Sequence, residues 1–215
     1  MGFVKDGKTA FVTNGTDENC AKLCCALAVR GFSVAFTHEA DADAASDLAS
    51  RIESAGVAAL PFVVKNFGAV RSEGLRLAEE LSVAVVETAE RFGGIDALFY
   101  FAPPASASAA MLLDLDDEDW DVAMDRGAKG FFLSCKYALP YLISREGSSV
   151  TALDARGADE DGEKPGLADL ASREALRVVV EDIADELSAY GISTVYKKIS
   201  GYGWIDELLD CEPEI

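Results

Sequence analysis

The sequence predicts an α/β domain in which a doubly wound parallel sheet of about six strands carries helices on both faces. Three observations lead there. Short, β-branched apolar runs alternate with longer amphipathic stretches along the chain, as repeated β-α units do. The runs are nearly continuous rather than strictly alternating, as expected of strands covered on both faces. With 215 residues, half of them hydrophobic, the chain is long enough to build one core, and residues 1–215 are read as a single domain that needs no disulfide or metal.

The first strand is placed at Thr9 to Thr13 and the first helix at 18–30. Cys20, Leu23, Cys24, Leu27 and Ala28 form the i, i+3, i+4, i+7, i+8 stripe of a helix laid on a sheet, and Gly31 stops it. Strands follow at Ser33 to Thr37, Ala58 to Val64, Ala97 to Phe101, Ser149 to Leu153 and Ser193 to Lys197. Helices 42–54, 70–92, 117–144 and 167–190 have the lengths that parallel crossovers require. Arg156 to Gly166, with four acids, three glycines and a proline, is a solvated loop, and Trp204 to Leu209 suits a short last helix.

Charge and cysteine usage exclude several function classes. Lys and Arg number 19 against 38 Asp and Glu, a net charge of −19 that repels nucleic acid and anionic membranes. The N-terminus turns polar at once, and no apolar run approaches a membrane span, so a cytoplasmic protein is expected. Five cysteines, three of them at Cys20, Cys24 and Cys25, fit a reduced compartment. They read as small buried hydrophobes rather than metal ligands.

The stretch Phe11-Val12-Thr13-Asn14-Gly15-Thr16-Asp17-Glu18-Asn19-Cys20 sits where a dinucleotide-binding fold puts its glycine-rich turn. Further phrases agree in order and spacing: Ala28-Val29-Arg30-Gly31, Phe92-Gly93-Gly94-Ile95-Asp96-Ala97-Leu98, Lys129-Gly130-Phe131-Phe132-Leu133, Ala138-Leu139-Pro140-Tyr141, Ala184-Asp185-Glu186-Leu187 and Tyr190-Gly191-Ile192. To about Ser200 the chain resembles the short-chain dehydrogenase/reductase family, which implies a Rossmann-like fold. The resemblance also implies that the chain is C-terminally truncated, since Gly201 to Ile215 leave too little for the family's substrate-covering helices and seventh strand.

The chemistry that the resemblance would imply is changed at every position. The three glycines of the family's turn fall on Asn14, Glu18 and Cys20. A carboxylate at position 18, ~5 Å from a phosphate at an effective dielectric of ~20, would cost about 3 kcal/mol. Asp17 and Glu18 also complement the positive end of the helix that a phosphate would otherwise occupy. His38, with Glu39 beside it, stands where an acid usually holds the adenosine ribose, and Lys65 stands where an acid helps to hold the adenine. His38 is expected to be an ordinary surface histidine. The family's Asn-Asn-Ala-Gly phrase reads Tyr100-Phe101-Ala102-Pro103, which puts aromatics where small and amide groups normally line the pocket.

The family's catalytic Tyr and Lys align with Asp169 and Arg173, its Ser with Asp154 and its Asn with Gly127. Asp169 is set to pair with Arg173 at i, i+4, and an arginine cannot replace a lysine tuned to lose its proton. Asp154 and Asp169 would have to lie close together to share a proton or bind a cation; solvated or salt-bridged remnants are expected instead. A degenerate, non-catalytic subunit that binds no cofactor, a structural partner of an intact dehydrogenase in a mixed oligomer, is the expectation. The alternative is a divergent NAD(P)-dependent oxidoreductase acting on a ketone or alcohol. Helices 117–144 and 167–190 carry more apolar surface than one sheet covers, so a homo- or hetero-oligomer through them is expected, with Phe132, Tyr137 and Val180 as contacts. In the family these two helices make the main dimer contact.

Overall fold

A computed structural model describes residues 7–39, 41–64, 74–102, 112–155, 166–199 and 203–210. Six parallel strands lie in the order β3-β2-β1-β4-β5-β6. They are β1 (Thr9–Val12), β2 (Ser33–His38), β3 (Ala59–Val63), β4 (Ala97–Ala102), β5 (Ser149–Asp154) and β6 (Ser193–Lys198). Every residue of β1 and β4 is buried, because helices cover both faces of the sheet centre. β3 and β6, at the two edges, are only partly buried.

The helices are α1 (Glu18–Val29), α2 (Ala42–Ser54), α3 (Gly74–Phe92), α4 (Asp117–Met124), α5 (Gly130–Ile143), α6 (Leu167–Ser188) and α7 (Trp204–Asp210). Two cores result. On one face Leu23, Cys24 and Leu27 of α1 meet Leu48 and Ile52 of α2, Phe36, Phe101 and the apolar side of α7. On the other, Leu81 and Val85 of α3, Phe131 and Leu142 of α5, and Leu176 and Val180 of α6 cover Phe11, Leu98 and Tyr100. Cys20 and Cys24 lie fully inside, where burial raises both thiol pKa values. They act as apolar filler.

The single helix expected over 117–144 is two helices. A π turn, Asp125–Lys129, joins them, and Gly127 within it has non-helical φ −102° and ψ −109°. Gly127 packs so closely on α6 that a Cβ there would overlap the Ser172 hydroxyl. The loop expected at Arg156 to Gly166 and the candidate Lys65 lie outside the described residues, apart from Gly166 at the start of α6. Among the described residues no helix is long and apolar enough to cross a membrane.

Candidate functional site

In a doubly wound sheet the ligand crevice opens at the C-terminal strand ends where the strand order reverses. Here that point lies between β1 and β4, beside the β1–α1 turn. Several of the turn's amide donors are satisfied within the chain. The Asn14 N–H donates to Thr37 Oγ1 (3.0 Å), Gly15 N–H to the Thr37 carbonyl (2.7 Å) and Asp17 N–H to the Asn14 carbonyl (3.0 Å). Asn19 N–H is capped by Asp17 Oδ1 at 2.8 Å. Asn14 holds the left-handed conformation, φ 53°, which Asn tolerates better than most residues. Its side-chain amide donates to the Phe101 carbonyl at 3.2 Å, so this residue ties β1 to β4 across the crevice floor. Gly15 is required by close approach, since a Cβ there would lie 2.7 Å from Phe36 Cβ.

Glu18 behaves differently from the expectation. Its carboxylate, 71% exposed, pairs with Lys22 at 2.8 Å. Solvent and this partner screen it, so its repulsion of a phosphate is well below the value computed for an isolated charge. Cys20, at the third glycine position, is fully buried against the sheet.

The aromatics do not line an open pocket. Tyr100 and Phe101 are fully buried in β4, one in each core. Tyr100 meets Phe131 edge-to-face at 5.6 Å and its hydroxyl donates to the Arg126 carbonyl at 2.8 Å. Arg126 in turn reaches Glu39, Nη2 to Oε1, at 3.5 Å. His38 is not a surface residue. It is 5% exposed, and burial lowers its pKa from 6.5 against an opposing pull from Asp41. Its Nδ1 has no hydrogen-bond partner among the described residues.

The four positions expected from the resemblance to stand in the family's proton relay are occupied by other interactions. Asp169 and Arg173 form an ion pair at 2.7 Å, with their side chains only 6% and 18% exposed. Asp154 is 1% exposed and accepts a 2.6 Å hydrogen bond from the Tyr196 hydroxyl. It is therefore not solvated as expected, because β6 brings a phenol over the end of β5. Gly127 faces Ser172, whose hydroxyl donates to the Ala123 carbonyl. A side chain at position 127 meets atoms already in place. Asp154 and Asp169 thus have separate partners, and among the described residues no group of acids, His or Cys is arranged to hold a metal.

Sequence reasoning missed Tyr196, Ser172 and Arg126. Ser172 sits one residue before Arg173 and Arg126 one before Gly127. That adjacency was the only signal, and it does not say which way the side chains face.

On the far side of the same helices, α5 and α6 leave an apolar groove of about 610 Å³ between Phe132, Leu139, Val178 and Ile183, flanked by Lys136 on α5 and by Asp182 and Glu186 on α6. Phe132 and Val178 are 46% and 54% exposed. Val180 is corrected as a contact: it is 2% exposed and belongs to the core beside Leu176. Tyr137 is half-buried against that core.

Residues 19–195 match the family model described as "Enoyl-(Acyl carrier protein) reductase". A 3-oxoacyl-[acyl-carrier-protein] reductase, FabG, of Staphylococcus aureus is 23% identical over 192 residues, covering 88% of this chain and 72% of that protein. Among solved structures, a dehydrogenase/reductase from Sinorhizobium meliloti is 27% identical with a TM-score of 0.76, covering 92% of this chain and 74% of that one. A short-chain dehydrogenase from Burkholderia cenocepacia in complex with NADP is 26% identical with a TM-score of 0.75, covering 89% and 73%.

Proposed function

The chain belongs to the short-chain dehydrogenase/reductase family, and from that premise we propose that it is a non-catalytic member, retained as a subunit of a homo- or hetero-oligomer. The buried Asp169–Arg173 ion pair carries this reading. Proton transfer to a substrate oxygen needs an acid of suitable pKa within hydrogen-bond reach, with a neighbour that tunes it. A carboxylate held beside a guanidinium is kept ionised, and the guanidinium does not give up its proton near neutrality. The turn amides bonded within the chain, and the aromatics that fill the end of β4, support an absence of cofactor.

The partner surface is the α5–α6 face. A two-fold pairing that sets α5 against the neighbour's α6 brings Lys136 toward Asp182 and Glu186 of that neighbour, which offsets repulsion between two acidic chains. A related, catalytically intact chain with the same helix faces would fit there as well.

A second reading, a divergent NAD(P)-dependent oxidoreductase acting on a ketone or alcohol, is favoured by the reductases to which the chain is similar, one of them solved with NADP. One experiment separates the two. The purified protein is incubated with NADH or NADPH and a ketone panel, and with the oxidised cofactors and an alcohol panel. No absorbance change is expected for the wild type or for Asp169→Tyr with Arg173→Lys, because Ser172 blocks the Asn position. Turnover by the wild type establishes the second reading and ends the first.

A further inference from the structure

The strands β2, β1 and β4 are consecutive neighbours in the sheet. A contact between a residue just after β2 and one anchored to β4 therefore bridges the two strands that flank β1, a span of about 10 Å across two strand spacings. Arg126 and Glu39 make such a contact, at 3.5 Å and 87 residues apart in sequence.

Both ends are positioned. Glu39 follows the buried His38, whose carbonyl accepts from the Val64 N–H at 2.9 Å. Arg126 is the second residue of the π turn, beside the Gly127 kink, and its carbonyl is held by the fully buried Tyr100 of β4. The aromatic that fills the end of β4 thus also fixes the base of the arginine that reaches across. We infer that the Arg126–Glu39 pair is an intramolecular strap that closes the mouth of the crevice over the β1–α1 turn and excludes a nucleotide from it. The inference rests on the reading of a crevice that takes no cofactor and adds a second physical cause to the internally bonded turn amides.

The strap is also easily released. Its side chains are 23% and 41% exposed, and an ion pair in contact with water is held weakly. Removing either end should open the crevice without disturbing the core. Arg126→Ala removes the bulk across the crevice. Glu39→Gln keeps the volume but removes a carboxylate that would repel a diphosphate in the crevice.

Calorimetric titration of adenosine 5′-diphosphate into the full chain tests this, since that probe carries the adenosine and diphosphate without the nicotinamide. The wild type is expected to show no binding up to about 1 mM. Arg126→Ala should bind at least tenfold more tightly than that limit. Glu39→Gln should gain binding that fades as salt is added, because its gain is electrostatic. If both variants melt as the wild type does and neither binds, the strap is overturned while the non-catalytic reading stands. Micromolar binding by the wild type overturns the strap and, separately, the reading of an empty crevice; the turnover assay then decides catalysis on its own.

Discussion

At the scale of single residues, Gly127 and His38 show how packing alters what a position can do. A Cβ at position 127 would overlap Ser172 Oγ and lie 3.1 Å from the Ser172 carbonyl oxygen. Gly127→Ala should therefore cost about 1–3 kcal/mol, as overpacking of a tight contact does. Ser172→Ala alone should cost about 1 kcal/mol for its lost hydrogen bond, and the double variant should be more stable than the sum predicts. Urea denaturation of the four proteins measures that coupling; strict additivity would show that the two residues do not clash.

For His38 the folded-state pKa lies below 6.5. The unfolded chain therefore holds more protons there once the pH drops through 6.5. Stability is unaffected above that point and falls as the pH moves below it toward the folded value. His38→Gln should reduce the loss of urea midpoint between pH 7.5 and pH 5.5, and an unchanged loss would count against a buried neutral imidazole.

At the scale of elements, α6 is anchored by charge as well as by its apolar stripe. Asp169 and Arg173 lie one turn apart near its start, largely out of water. Truncating Arg173 takes the guanidinium away from a largely buried carboxylate, so Arg173→Met should cost about 3 kcal/mol, the lower end of the range because Arg173 keeps some solvent contact. Asp169→Leu combined with Arg173→Met should recover most of that loss, since an apolar pair of similar volume replaces a buried ion pair at little cost. Thermal melts of the single and double variants decide this. An equally large loss in the double would mean that the pair does more than satisfy itself.

At the scale of the whole molecule, the open question is what covers the α5–α6 face. Val178, half-exposed in the groove, and Val180, in the core, are two residues apart on one helix and give opposite predictions. Val178→Asp should leave the fold intact and lower the mass seen by light scattering, because a charge is placed in a contact surface. Val180→Asp should instead unfold the protein, because it buries an unpaired carboxylate. A wild type that is monomeric by light scattering and binds no related chain would remove the assembly proposal.

Much of this protein was determined by its sequence alone. The periodicity of Cys20, Leu23, Cys24, Leu27 and Ala28, the continuous apolar runs at Phe11 and Leu98, and the order of connecting phrases specify a doubly wound parallel sheet. Backbone hydrogen bonding and burial of apolar faces are local, repeating demands, and they leave a periodic trace. The identities Asp169, Arg173, Asp154 and Gly127, which the resemblance aligns with the family's Tyr, Lys, Ser and Asn, are legible in the sequence as well, since they are a matter of identity at a spacing. What only the tertiary structure decided was where the replacements point. Asp154 meets Tyr196 from a neighbouring strand, Gly127 packs against Ser172 of another helix, and Arg126 reaches Glu39, 87 residues away in sequence. Val180 faces inward while Val178 faces out. Each of these depends on contacts between residues far apart in the chain, or on the rotation of a helix against its sheet. Such contacts form only when the whole core has closed, and no short-range pattern encodes them.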